Sequence, residues 1–163
     1  MKGIDFLNFA EREITAADEI DKLLSSARVC RIALFDGNYP YIVPMCFGYN
    51  ITGGTLELYF RCEEKGKKLE LIKENSRAAF EIDRLHEIVA ADDPCGFAAR
   101  YHSITGVGTV SAVTGVDKIT GLNLIIKKYV SNPPEKLSEQ ALNSVSVLKL
   151  TANEFCCKEY NNE

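Results

Sequence analysis

The sequence predicts a small, mainly β protein: an antiparallel β-barrel with peripheral α-helices. Three observations lead to that class. Six or more strand-like runs follow one another, separated by Gly-, Asn- and Asp-containing turns. Most connections between them are short, which pairs successive strands as an antiparallel meander. Only two or three segments show helical spacing, and the one between the third and fourth strands is short enough to cross a barrel end without redirecting the sheet. At 163 residues the chain suits a single domain over 1–163, long enough to bury a core without covalent staples. It shows no internal repeat, low-complexity segment or dividing linker.

Residues 1–14 carry little pattern. Thr15 to Ala27 reads as a helix, with Thr15 as cap, Asp18 and Glu19 in the first turn, and Ile20, Leu23 and Leu24 on one face. Arg28 to Phe35 is the first strand, with Val29, Arg31, Ala33 and Phe35 on one face and Cys30, Ile32 and Leu34 on the other. Asp36-Gly37-Asn38 is a hairpin turn. Tyr39 to Tyr49 reads as the second strand. Pro44 in its middle cannot donate a ladder hydrogen bond, so it marks an edge, a bulge or a place where something other than a strand meets the backbone. Asn50 to Gly54 turns the chain into the third strand, Thr55 to Cys62.

Lys67 to Glu74 reads as a helix ended by Asn75-Ser76, and Arg77 to Asp83 as the fourth strand. Arg84 to Arg100 reads as a long loop with turn material at Asp92-Asp93-Pro94. Tyr101 to Val113 is the fifth strand, where Gly106 and Gly108 predict bulging or close backbone approach. Val116 to Val130 is a helix carrying Ile119, Leu122, Ile125, Ile126 and Tyr129, and Asn132-Pro133-Pro134 is a loop. Ser144 to Leu150 is the last clear strand, with a short one over Glu154 to Tyr160.

The net charge of −4 argues against a nucleic-acid partner. No apolar run approaches the roughly 18 residues of a membrane helix. The acidic, interrupted start MKGIDFLNFAERE differs from a signal peptide, so a cytoplasmic location is expected. Cys30, Cys46, Cys62, Cys95, Cys156 and Cys157 include no C-x-x-C pair and no metal-finger spacing to the histidines, so free thiols are expected and no metal site.

The chemistry concentrates where the third strand empties into a helix, at Lys65-Gly66-Lys67-Lys68. A strand, a Gly-containing loop and a helix start form an anion site, because free N–H groups and the positive end of the helix dipole converge there. Lysines in a first turn oppose that dipole, and a bound phosphate would remove the conflict. The alternative is a solvated basic face. The junction is not a Walker loop, since Arg61 stands where that motif needs glycine and Lys68 where it needs Ser or Thr. Arg31, within an apolar strand, needs an anionic partner, or else it snorkels at an edge or joins a structural ion pair. His102 has the chemistry of a general acid or base but no identifiable partner, and His86 reads as a solvated loop residue.

Arg-Val-Cys-Arg-Ile-Ala-Leu, Tyr-Pro-Tyr-Ile-Val-Pro-Met-Cys-Phe-Gly-Tyr, Leu-Tyr-Phe before Gly-Lys-Lys-Leu, and Tyr101-His102-Ser103-Ile104-Thr105-Gly106-Val107-Gly108 occur in this order over about Glu13 to Tyr129. Together they resemble the pyridoxamine 5′-phosphate oxidase-related flavoproteins, and within them the nitroimidazole-resistance (Nim-like) branch. The resemblance implies a split β-barrel, usually a homodimer, binding FMN at the subunit interface, with FAD as the alternative nucleotide. It implies that Arg31 and Lys68, helped by Lys67, hold the phosphate, and that Arg61 and Cys62 line the ribityl-phosphate site. Backbone groups of Val43, Pro44 and Met45 would face the flavin edge, and Tyr101 and Ser103 would approach from a partner chain or the neighbouring strand.

The sequence departs from the branch at Arg61, where histidine is usual, at Cys62, where a small polar residue is frequent, and at Asn75-Ser76, where Asn-Pro is common. The implied function is an FMN-dependent oxidoreductase passing electrons to a small-molecule acceptor such as a nitroaromatic compound. The alternative is a non-catalytic flavin- or haem-binding module on the same fold.

Overall fold

The computed structural model describes residues 12–92, 95–134 and 136–160, apart from the side chains of Leu85 and His86. The order is α1 (Ala17–Ser26), β1 (Cys30–Asp36), β2 (Tyr39–Met45), β3 (Gly48–Thr52), β4 (Thr55–Cys62), α2 (Lys67–Glu74), β5 (Arg77–Val89), β6 (Ala98–Val113), α3 (Gly115–Tyr129), α4 (Glu139–Asn143) and β7 (Ser146–Tyr160). The strands form one antiparallel sheet in the order β2-β1-β5-β6-β7-β4-β3. Within this sheet β2 and β3 each have a single neighbour, so the barrel is split rather than closed.

The split follows from a local event. The run expected as one strand over 39–49 breaks at Cys46-Phe47. Its first part pairs with β1, placing Arg31 opposite Pro44, while its second part pairs with β4 at the other end of the sheet. Pro44 therefore lies on an edge strand, where the missing N–H donor is tolerated. The break brings the two open edges of the sheet to within two residues of each other along the chain.

Strand alternation decides the core. Cys30, Ile32 and Leu34 of β1 turn inward with Phe80 and Ile82 of β5, Ile104 of β6 and Leu58 and Phe60 of β4, all nearly inaccessible to solvent. The other face of β1 carries Arg31 and Phe35 into solvent. Of the readings left open for Arg31, the structure gives the ion pair: it faces solvent beside Glu81 and Asp83. The Cys30/Ile32/Leu34 set is wholly apolar, so burying it avoids the desolvation cost of a guanidinium. A smaller cluster of Tyr59, Leu122, Ile125 and Val147 seats α3 on β4 and β7.

Three further expectations change. Helix α1 begins at Ala17, with Ala16 rather than Thr15 at its N-cap and no side-chain cap. The long loop expected over 84–100 is mostly strand: β5 and β6 extend as a hairpin to Val89 and Ala98, with a register shift between Leu85 and Glu87. Polar residues along these exposed arms had hidden the strand pattern. Of the turn expected at Asp92-Asp93-Pro94, Asp93 and Pro94 lie outside the described residues, as does the side chain of His86, although the backbone at position 86 belongs to β5. The region expected as two strands, 144–150 and 154–160, is the single long strand β7. Gly108 behaves as expected. Register with β7 shifts between Val107 and Thr109, and a Cβ at Gly108 would stand 2.3 Å from the Thr151 carbonyl oxygen.

Candidate functional site

A cavity of about 640 Å³ lies in the split. Val43, Pro44 and Met45 of β2 form one wall, with Cys46 at the break. Arg61, Cys62 and Glu63 at the end of β4 form another, and Lys68 of α2 closes the corner. Ile125 of α3 with Ser144 and Val145 ahead of β7 complete the lining. The volume falls within the roughly 300–1,000 Å³ of small-ligand sites, and the lining is likewise mostly apolar with a few polar groups.

Six of the ten residues implicated by sequence meet there: Val43, Pro44, Met45, Arg61, Cys62 and Lys68. Arg31, Lys67, Tyr101 and Ser103 do not line it. Arg31 pairs with Glu81 of β5 at 2.8 Å and also with Asp83. These two carboxylates hold its guanidinium above its ordinary pKa. Lys67 pairs with Asp36 and lies 4.9 Å from the Tyr41 ring centroid. Tyr101 stacks obliquely on Tyr160, with centroids 6.1 Å apart, and Ser103 stands across from Asp83 and Lys158. His102, the candidate acid or base, has Nε2 2.9 Å from a Glu159 carboxylate oxygen and does not line the cavity.

The cations that remain differ from these. Neither Arg61 nor Lys68 forms a hydrogen bond or ion pair with any described residue. Lys68 is half-buried in the first turn of α2. Gly66, at φ 136°, supplies the N-cap in a conformation that side chains disfavour, and contributes no side-chain cap. Its carbonyl accepts from the N–H groups of Leu69 and Glu70. The N–H groups of Lys67 and Lys68 have no acceptor among the described residues. Two N–H groups and an ammonium without partners among the described residues, with the positive end of the helix dipole, thus lie together in the first turn of α2, from which Lys68 reaches the cavity.

Burial raises the Cys62 thiol pKa, while nearby Lys68 and Arg61 pull it down. The back of the cavity is held by α3. The Tyr129 hydroxyl accepts from Phe47 N–H at 3.1 Å and donates to the Arg28 carbonyl at 2.7 Å. Lys128 donates to the Leu24 carbonyl, with Nζ 3.4 Å from the Phe47 ring centroid. Burial, then Arg28, lowers its pKa to about 7. Together these contacts fix the break between β2 and β3.

Sequence reasoning missed Cys46, Glu63, Ile125, Ser144 and Val145 as lining residues. Cys46 and Glu63 adjoin predicted positions and could have been included by proximity. Ile125, Ser144 and Val145 come from distant segments whose only sequence signal is apolar or strand patterning.

Among curated proteins none matches this sequence. The family model described as pyridoxamine 5′-phosphate oxidase matches residues 16–159. Solved structures show the same fold. A candidate 5-nitroimidazole antibiotic resistance protein from Bacteroides thetaiotaomicron is 24% identical with a TM-score of 0.75, over 90% of this chain and 86% of that one. A FAD and haem binding protein from Mycobacterium smegmatis is 20% identical with a TM-score of 0.79, over 93% and 74%. A flavocytochrome from Azotobacter vinelandii is 13% identical with a TM-score of 0.76, over 96% and 72%. At these identities the structural likenesses speak for the fold alone, whereas the family model spans most of the sequence: the chain belongs to the pyridoxamine 5′-phosphate oxidase family.

Proposed function

We propose that this protein binds FMN in the split of its barrel and works as an oxidoreductase that delivers electrons to a small acceptor of the nitroaromatic class. The observation that carries this reading is the unsatisfied corner at α2. Two backbone donors and the side chain of half-buried Lys68 have no hydrogen-bond or ion-pair partner among the described residues. A phosphate would satisfy all three, so the residues present fit a nucleotide's phosphate. Lys67 contributes its N–H, while its ammonium serves Asp36.

When bound, a flavin supplies the redox chemistry itself. The chain's own residues bind and orient it. Val43, Pro44 and Met45 offer an apolar and backbone edge for a ring system, and Ile125 and Val145 narrow the opposite side. No side chain is required as nucleophile.

The reading includes a homodimer. Phe35 and Ile42 are 56% and 61% exposed, and Ile42 shares the outer face of β2 with the cavity residue Pro44. An apolar face running into the rim of a cavity supports a second copy completing the site, with Tyr101 and Ser103 arriving from that copy.

The decisive experiment is an absorbance spectrum of the purified protein, before and after addition of FMN, with mass identification of any small molecule released on denaturation. The yellow flavin band with an FMN mass is the expected result. An FAD mass would change the nucleotide and keep the site. A colourless protein that ignores both would overturn the reading. Turnover with NAD(P)H and a nitroaromatic acceptor separates an enzyme from a flavin carrier.

A further inference from the structure

We infer that Arg61 recognises a second, anionic ligand of the cavity: a flat organic carboxylate, the class to which the electron acceptor then belongs. This rests on the flavin reading above and departs from the role that family resemblance implies for position 61.

The family resemblance connects four cations with the ligand, and the structure distinguishes them. Arg31 is engaged by Glu81 and Asp83, and Lys67 by Asp36. Lys68 belongs to the donor corner at α2. Arg61 is left over: like Lys68 it stands near Cys62, but it projects from β4 rather than from the helix start. It projects from the last turn of sheet before the loop, an exposed residue between the buried Phe60 and Cys62. Its antiparallel partner on β7 is Val147, two residues beyond the cavity residue Val145.

Glu63 is the one carboxylate lining the cavity, and Arg61 makes neither a hydrogen bond nor an ion pair with it. Apart from Lys68 and Glu63, the rest of the lining is apolar or uncharged: Val43, Pro44, Met45, Ile125, Val145 and Ser144 with the two cysteines. A guanidinium without a carboxylate partner among the described residues, in a lining that is otherwise mostly apolar, presents a planar fork of N–H donors that matches a carboxylate in two-point geometry. The acceptor's flat body would lie against the flavin that this lining holds, with Arg61 at its anionic end. A phosphate already has Lys68 and two main-chain donors and does not require Arg61.

The test uses the FMN-loaded wild type and the Arg61→Gln and Arg61→Lys variants. Each is titrated with 4-nitrobenzoate and with 4-nitrobenzamide, its uncharged analogue, without added reductant, following perturbation of the flavin absorbance. FMN affinity is measured first for each protein. The expected result is a preference of about tenfold or more for the carboxylate in the wild type, weakening with salt. In Arg61→Gln the preference falls to about onefold while FMN affinity changes by less than about threefold. Arg61→Lys keeps the charge without the fork and retains only part of the preference.

Equal binding of the two compounds by the wild type overturns the assignment. So does an Arg61→Gln variant that loses FMN about tenfold with its carboxylate preference intact, because Arg61 then belongs to the phosphate. A wild type that takes up no flavin removes the flavin reading instead. The same ligand pair titrated by calorimetry into the flavin-free protein then decides Arg61 separately, a retained preference supporting it and none overturning it.

Discussion

Gly48 and Ile125 are in backbone contact: a Cβ on Gly48 would stand 2.6 Å from the Ile125 nitrogen and 2.7 Å from the Leu124 carbonyl carbon. Gly48 opens β3 two residues after Cys46, and Ile125 lines the cavity from α3. The close approach therefore sets how near α3 can come to the break between β2 and β3. Backbone cannot yield as a flexible side chain can. Gly48→Ala is expected to destabilise the protein by about 2–3 kcal/mol, the range for overpacked cores. Thermal denaturation checks this, and flavin retention in the folded fraction reports whether the cavity wall has moved.

The two lysines of the α2 first turn are expected to behave differently. Lys68→Ala removes an unpaired cation from the cavity and weakens FMN binding by about 2 kcal/mol, roughly thirtyfold in Kd. Lys67→Ala breaks an exposed pair with Asp36 and changes stability by less than about 1 kcal/mol, with a smaller effect on FMN. Fluorescence titration of FMN distinguishes them. Equal losses would mean that the ammonium of Lys67 leaves Asp36 to join the phosphate.

Lys128 makes a pH dependence calculable in sign. Its folded-state pKa of about 7 lies below that of an unfolded lysine, near 10.4. Between those values the unfolded chain holds a proton that the folded chain has released, so this group adds stability as pH rises. The groups facing it are Arg28, which pushes its pKa down, and Cys30 and Cys46, which push it up. Burial raises the Cys30 and Cys157 thiols, which act in the opposite direction above about pH 8.5. The comparison is therefore wild type against Lys128→Met, by chemical denaturation from pH 6 to 8.5. The stability difference should move toward the wild type by up to about 1 kcal/mol per pH unit above pH 7.

Thiol labelling of the folded protein should divide the cysteines by exposure. Cys46 and Cys95 are exposed, while Cys30, Cys62, Cys156 and Cys157 are buried. Rapid modification of two thiols followed by a slow phase for the rest is the expected time course. Saturating FMN should protect Cys46, which lines the cavity, and leave Cys95 unchanged. Equal protection of both, read by peptide mass mapping, would argue against a ligand in the split.

Much of this protein could be read before any coordinates. Alternation placed β1, β4 and the core of β6, and helical spacing placed α2 and α3 close to their observed bounds. Gly66 with its two lysines pointed to the helix start proposed to hold the phosphate, and Pro44 identified a strand with an open side. These signals are local: each depends on residues within a turn or a strand of one another, and backbone geometry translates them directly.

What needed the tertiary structure was competition between distant partners. The sequence could not say that Glu81 and Asp83, some fifty residues away, would claim Arg31, or that Asp36 would claim Lys67, leaving Lys68 and Arg61 without partners. Nor could it break the run over 39–49, since each half is a sound strand and only pairing with β1 at one end of the sheet and β4 at the other separates them. Side-chain pattern determined what each segment could become. Which charges stayed unpaired, and which walls met across the split, depended on contacts between segments that no local pattern encodes.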